Sequence, residues 1–230
     1  MNHIIKICGL REPEHALAAA EAGATHIGYN FTTSRRRVDA GTARRCIEFA
    51  KADFPEIKAV GLFVDADFDE IEATSQAAGV DVIQLHNQPS AELISRLSLP
   101  VLPVMRSAPG EHVSSVIEYF DSVRSEGVRA VLLDAYHPTL AGGTGLLADW
   151  DLAAAAALSV PIVLAGGLNP DNVADAIRNV SPLGVDVASG VEREGVKNLA
   201  LIRAFIEQAQ SAFAELDHST KTGASSHDAP

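Results

Sequence analysis

The chain has 230 residues, 47% hydrophobic and 5% aromatic, which is typical of one globular domain with a large core. A formal net charge of −12 argues against nucleic acid or an anionic membrane as a partner, although a local pocket can still bind an anionic small molecule. No apolar run reaches the ~18 residues that span a membrane, and we find no secretion signal. The two cysteines, Cys8 and Cys46, are therefore expected to be reduced thiols of a cytoplasmic protein.

Strand-like apolar runs alternate with segments of helical periodicity along the chain. The predicted strands are Ile4–Ile7, His26–Phe31, Ala59–Val64, Val82–Leu85, Val101–Met105, Ala130–Leu133, Ile162–Leu164 and Val185–Val187. The predicted helices include Glu14–Ala22, Ala40–Lys51, Phe68–Ala78, Ala91–Leu97, Val113–Arg124, Asp171–Asn179 and Leu199–Phe213. This alternation predicts the α/β class, as a single-domain (β/α)8 TIM barrel over residues 1–214. Residues 215–230 are predicted to be a disordered C-terminal tail, because their composition is rich in small polar residues.

Three chemically active residues stand at predicted strand ends, where α/β barrels place their active sites. Cys8 ends the first strand and is either a small core residue or a reactive thiol. Asp134 follows the sixth strand as a loop cap or as an acid whose pKa is raised by desolvation. His86 follows the fourth strand as a ligand, an acid–base group or a packed histidine. No metal site is expected, since His86 has no second ligand at suitable spacing.

Two small-residue loops follow the last two strands. Gly166 and Gly167 follow strand seven, and Ser189 and Gly190 follow strand eight. Loops at these positions form the usual phosphate site of a barrel, because glycine lets backbone N–H groups approach the anion. The pair favours a phosphate site over simple chain turns.

Basic residues stand at two further positions. Arg35, Arg36 and Arg37 form either a solvated loop or, opposite a phosphate, a clamp for a carboxylate, for which we prefer Arg36 over Arg37. Lys6 faces the same side of its strand as Cys8, so we expect it to pair with Asp186 on the neighbouring strand eight. Lys6 is also expected to favour the thiolate form of Cys8.

The chain as a whole resembles the phosphoribosylanthranilate isomerase family of tryptophan biosynthesis. The resemblance covers the chain from the first strand to the last helix, without the tail. The matching stretches, in order, are Lys6–Gly9, Ser34–Val38, Gly61–Val64, Val82–His86, Leu132–Asp134, Gly142–Gly145 with Asp149 and Trp150, Leu164–Val173 and Val185–Glu192.

The resemblance implies an Amadori rearrangement of N-(5-phosphoribosyl)anthranilate to 1-(2-carboxyphenylamino)-1-deoxyribulose 5-phosphate. Asp134 matches the general acid that opens the furanose ring, and Cys8 matches the general base that removes the C2′ proton. Arg36 matches the residue that holds the anthranilate carboxylate. No metal or organic cofactor is implied, and we expect a cytoplasmic monomer or homodimer. The expected substrate-binding residues are Arg36, His86, Gly166, Gly167, Asp186, Ser189 and Gly190.

Two other interpretations stay open. Leu146 follows Gly145 where a lysine is common in the family, and Ala188 replaces a serine in the last phosphate loop. These departures are consistent with a non-catalytic phosphate-binding barrel, or with another sugar-phosphate isomerase of altered substrate scope.

Overall fold

The structure, a computed structural model, describes residues 3–107, 110–125, 127–134 and 150–224, with side chains to residue 219. Eight parallel strands follow one another around a closed barrel, so the predicted TIM barrel is confirmed. Strand β8 closes the barrel against β1, with Lys6 opposite Asp186 in the register. The strands are β1 Ile4–Cys8, β2 His26–Asn30, β3 Lys58–Phe63, β4 Val82–Leu85, β5 Val101–Arg106, β6 Val131–Asp134, β7 Ile162–Ala165 and β8 Gly184–Val187.

Helices cover the outside of the barrel. Three of them begin at an acidic or hydroxyl side chain, Asp39, Asp67 or Ser90, which accepts a backbone N–H of the first turn. Within the described ranges, no helix is long and apolar enough to cross a membrane. The helices are α1 Pro13–Glu21, α2 Ala40–Asp53, α3 Phe68–Ala78, α4 Ala91–Arg96, α5 Val113–Val123, α6 Trp150–Ala157, α7 Val173–Val180 and α8 Leu199–Ala224.

The last helix is longer than the sequence pattern predicts. Helix α8 runs to Ala224, past the boundary expected after residue 214. Its apolar face continues from the buried Phe213 to Leu216, which packs against the core. The first part of the predicted tail is therefore helical, and residues 225–230 lie outside the described residues.

The alternation of side chains along each strand separates two apolar clusters. On β1, Ile5 and Ile7 belong to the large cluster between strands and helices, whereas Lys6 pairs with Asp186 on the neighbouring strand. A smaller cluster involves β5, β6 and β7 and contains Leu102, Val104, Ala130, Leu132, Val163 and Ala165.

A short hairpin follows the barrel. A 3-10 helix, Ser189–Val191, leads from β8 into strands β9 Glu192–Arg193 and β10 Val196–Lys197. The two turn residues between them have positive φ angles, +51° at Glu194 and +79° at Gly195. Positive φ at both positions is the geometry of the tight hairpin turn that suits the twist of paired strands.

Candidate active site

One cavity of about 570 Å³ brings together nearly all the residues expected from the sequence. It opens at the carboxyl ends of the strands, where barrels hold their active sites. Its lining includes eight of the nine predicted site residues, namely Cys8, Arg36, His86, Asp134, Gly166, Gly167, Asp186 and Ser189. The ninth, Gly190, does not line it.

Cys8 lies at the end of β1 as a free, buried thiol. Its neighbour in the register is Gly28 of β2. A Cβ at Gly28 would lie 3.1 Å from both Cys8 Sγ and Lys6 Nζ, so this glycine leaves room for both side chains. The sequence analysis did not single out Gly28; a glycine within a strand was the available signal.

Lys6 and Asp186 form the buried pair that the sequence analysis predicted. Lys6 Nζ donates to Asp186 Oδ1 at 2.8 Å, and the lysine side chain is fully buried. Burial alone lowers the pKa of Lys6, but the charge of Asp186, the neighbouring Cys8 and the hydrogen bond to Asp186 raise the pKa above its usual value. Asp186 therefore lines the cavity and also compensates the charge of Lys6.

Asp134 ends β6 opposite Arg106 of β5. Arg106 Nε lies 3.8 Å from Asp134 Oδ2, and Arg106 lines the same cavity. Arg106 was missed by the sequence analysis, although it occupies the last position of a strand. The predicted stretches Gly142–Gly145 and Asp149 lie outside the described residues.

His86 is an uncharged imidazole at neutral pH. Burial, followed by the cations of Arg106 and Lys6, lowers the pKa of His86 to about 4. Its Nε2 lies 3.2 Å from Nε2 of Gln84, a second polar residue of the cavity. A neutral imidazole can donate one hydrogen bond and accept another.

The two loops predicted to bind phosphate border the cavity. Gly166 and Gly167 have φ angles of +97° and +69°, which favour glycine. The Asn172 side chain fixes their loop by donating to the Gly167 carbonyl at 3.1 Å. Ser189 begins the short 3-10 helix, and the first N–H groups of a helix have no partner within it.

Gly190 lies where the loops after β7 and β8 approach each other closely. A Cβ at Gly190 would overlap the carbonyl group of Leu168, so the glycine permits close packing of the loops after β7 and β8. Gly190 does not line the cavity, and the expectation that it binds substrate stays a prediction.

Of the three consecutive arginines 35–37, Arg36 is the one that lines the cavity. Arg37 contributes instead to a separate small pocket beside Asp65 and Glu70. Arg36 Nε and Nη2 donate to the two carboxylate oxygens of Glu192, at 2.6 and 2.9 Å. A Cβ at Gly9 (φ +76°) would lie 2.5 Å from Arg36 Cδ, so the arginine passes directly over this glycine. Sequence reasoning attached no role to Glu192 or Gly9.

Comparisons with known proteins identify the family of the chain. Residues 5–208 match the family model of N-(5′-phosphoribosyl)anthranilate (PRA) isomerase. The N-(5′-phosphoribosyl)anthranilate isomerase of Geotalea uraniireducens is 42% identical over 208 residues, covering 90% of this chain and 98% of the relative.

Solved structures give the same result. The crystal structure of the phosphoribosyl anthranilate isomerase of Thermotoga maritima superposes with a TM-score of 0.78 at 30% identity, covering 91% of this chain and 100% of that chain. A phosphoribosyl anthranilate isomerase in complex with reduced 1-(o-carboxyphenylamino)-1-deoxyribulose 5-phosphate has a TM-score of 0.75 at 29% identity, covering the same shares. The chain therefore belongs to the N-(5′-phosphoribosyl)anthranilate isomerase family.

Proposed function

We propose that the chain converts N-(5-phosphoribosyl)anthranilate into 1-(2-carboxyphenylamino)-1-deoxyribulose 5-phosphate, a step of tryptophan biosynthesis, with Cys8 and Asp134 as its base and acid. The observation that supports this most directly is that one cavity holds the Cys8 thiol, the Asp134 carboxyl group and the Arg36 guanidinium. The loop of Gly166 and Gly167 and the loop that begins at Ser189 line the same cavity. An acid and a base on different strand ends can act on adjacent atoms of one substrate.

Each of the two anionic groups of the substrate has partners among the residues that line the cavity. The loops at Gly166, Gly167 and Ser189 hold the phosphate through backbone N–H groups, and Arg36 holds the anthranilate carboxylate. The sugar then lies between them, over Cys8 and Asp134. A cavity of about 570 Å³ is of the size that small-molecule sites have.

The reaction begins at the furanose ring. Asp134 gives its proton to the ring oxygen, the C1′–O bond breaks, and the nitrogen lone pair forms a protonated Schiff base with C1′. The Cys8 thiolate then takes the proton from C2′, and the C–H electron pair neutralises the Schiff base to give an enolamine. Tautomerisation of the enolamine yields the ketone. The protonated Schiff base is the electron sink, so these side chains complete the proton transfers.

Lys6 supplies the activation that a thiol base needs. A free thiol is mostly protonated at neutral pH, and a neighbouring cation favours the thiolate. The Lys6 ammonium lies close to the Cys8 thiol, and it donates a hydrogen bond to Asp186 at 2.8 Å. The neutral His86 is available for a sugar hydroxyl.

The test is direct. Purified protein is given N-(5-phosphoribosyl)anthranilate generated in place, and loss of its fluorescence is followed for the wild type and for Asp134→Asn. We expect turnover by the wild type and a loss of about 10²- to 10⁴-fold in kcat for the variant, the usual contribution of a general acid. Both proteins should still bind the reduced product analogue.

Two results would overturn the proposal. Binding of the substrate without turnover by the wild type would favour a phosphate-binding barrel. Turnover of a different phosphorylated sugar, with none of the anthranilate compound, would favour another sugar-phosphate isomerase.

A further inference from the structure

Glu192, the first residue of β9, forms ion pairs with three basic side chains. Its side chain is only 4% exposed, and it pairs with Arg36 at 2.6 Å, Lys197 at 2.9 Å and Arg35 at 3.1 Å. Burial alone would raise the pKa of Glu192, but hydrogen bonds from Arg36 and Lys197 lower it to about 2. Glu192 is therefore a carboxylate throughout the physiological range, although it does not line the cavity.

We propose that Glu192 is a positioning residue that turns Arg36 toward the anthranilate carboxylate, an inference that rests on the proposed function. Glu192 occupies the side-on edge of the guanidinium, which consists of Nε and one N–H of Nη2. The end-on edge, formed by Nη1 and the second N–H of Nη2, can still bind another carboxylate through two hydrogen bonds. Arg36 lines the cavity, so this edge serves the substrate.

Lys197 connects this arrangement to the phosphate loop. It lies opposite Glu192 in the β9–β10 hairpin, and its Nζ donates both to Glu192 Oε1 at 2.9 Å and to the Ala188 carbonyl at 2.6 Å. Ala188 lines the cavity beside Ser189. The β9–β10 hairpin therefore sets the distance between the phosphate loop at Ser189 and the guanidinium of Arg36. This distance selects substrates that carry a phosphate and a carboxylate at the matching spacing.

If Glu192 instead competed with the substrate for Arg36, its removal would have the opposite effect on substrate binding. A carboxylate on Arg36 can also act as a competitor that the substrate must displace. Removing a competitor would improve binding of the anthranilate compound, whereas removing a positioning residue would weaken it. The sign of the effect decides between these roles.

The experiment compares two substrates in Glu192→Gln. N-(5-phosphoribosyl)anthranilate carries the carboxylate, and N-(5-phosphoribosyl)aniline lacks it; the latter is measured as a substrate or as a competitive inhibitor. For the anthranilate compound we expect kcat/KM to fall about tenfold or more, mainly through KM, because a charge-assisted hydrogen bond contributes roughly that factor. For the aniline compound, kcat/KM or the inhibition constant should change by less than about threefold.

Arg35→Ala is the matched control. It also removes a contact to Glu192, but the Arg35 side chain is 61% exposed. An exposed ion pair contributes little, so both substrates should behave as with the wild type. Glu192→Asp serves if the glutamine variant does not fold: it keeps the charge, withdraws the carboxylate from Arg36 and should show the same selective loss.

Four outcomes would contradict the account, and they can be told apart. Equal losses for both substrates would show a purely structural role and overturn the proposal, as would improved binding of the anthranilate compound. Unchanged discrimination by Glu192→Asp would also overturn it. Absence of wild-type turnover on the anthranilate compound would instead refute the proposed function itself.

Discussion

The Lys6 ammonium lies 2.8 Å from the Asp186 carboxylate between two neighbouring strands, where no part of the lysine side chain reaches solvent. The two residues are paired in the register of β1 and β8, the strands that close the barrel. A buried ion pair is strongly destabilised when one partner is removed, because the other charge is left uncompensated. The pair thus links the closure of the fold to the cavity that contains Cys8 and Asp186.

Replacing Lys6 by Met should therefore lower the free energy of unfolding by about 3–5 kcal/mol, measured by urea denaturation. Lys51→Met is the control, because Lys51 pairs with Asp81 at 2.7 Å with both side chains more than a quarter exposed. That change should cost about 1 kcal/mol or less. In the double variant Lys6→Met/Asp186→Leu, much of the lost stability should return. A loss in Lys6→Met no larger than in the control would contradict the role given to the pair.

The same substitution tests the activation of the thiol. Lys6→Met should slow alkylation of Cys8 by iodoacetamide at pH 7 several-fold, since the thiolate is the reactive form. Cys46 is the internal reference, because burial raises its pKa to about 11. Peptide mass spectrometry follows both residues in one sample. Unchanged alkylation of Cys8 in the folded variant would remove Lys6 from the mechanism.

Gly9→Ala should impair substrate binding beyond its effect on stability. Gly9 has φ +76°, and an added Cβ would lie 2.5 Å from Arg36 Cδ, so the arginine must move. Gly79→Ala is a close match, with φ +73° and nothing within 4 Å of the added atom. Both variants should lose about 1–2 kcal/mol of stability, but only Gly9→Ala should raise KM. Equal KM values in the two variants would show that Arg36 does not depend on Gly9.

Two histidines should make the protein sensitive to mild acid. Burial, reinforced by nearby cations, lowers the pKa of both His26 and His86 to about 4. Their unfolded forms titrate near 6.5, so the unfolded state binds the extra protons first. Stability is fully present above pH 6.5 and falls between pH 6.5 and 4, by about 3 kcal/mol for each histidine.

Two measurements check the lowered pKa values of the histidines and the loss of stability in acid. Imidazole resonances in NMR titrations should show no protonation of either histidine above pH 6, and urea denaturation of His26→Gln should show a shallower acid decline than the wild type. Titration of either ring near pH 6.5 in the folded protein would contradict the expected shift.

The barrel was predictable because its strands are short runs of branched apolar residues between amphipathic helices. Helix α6, Trp150–Ala157, is absent from the predicted segments since its run of alanines shows little periodicity. The end of α8 was placed too early because polar residues near Asp217 resemble a solvated tail. In each case local composition carried too little information to define the element.

The positions of Cys8 and Asp134 at the cavity were predictable, because each residue stands at the end of a strand. Contacts between distant parts of the chain were harder to predict from the sequence. Glu192 meets Arg36 across 156 positions of sequence, and no spacing rule relates them. The close approach of Gly190 to Leu168 was likewise not predictable, because the two residues belong to different loops. The pair Lys6–Asp186 was predictable because barrel closure places the first and last strands side by side.

The measurement that tests the central claim most directly compares the two cysteines. Cys8→Ala and Cys46→Ala both remove a buried thiol, but only Cys8 lines the cavity. With N-(5-phosphoribosyl)anthranilate as substrate, Cys46→Ala should keep a kcat close to that of the wild type, whereas Cys8→Ala should lose about 10²- to 10⁴-fold while still binding the reduced product analogue. A Cys8→Ala protein that turns over substrate within about tenfold of the wild type, less than a general base contributes, would contradict the account.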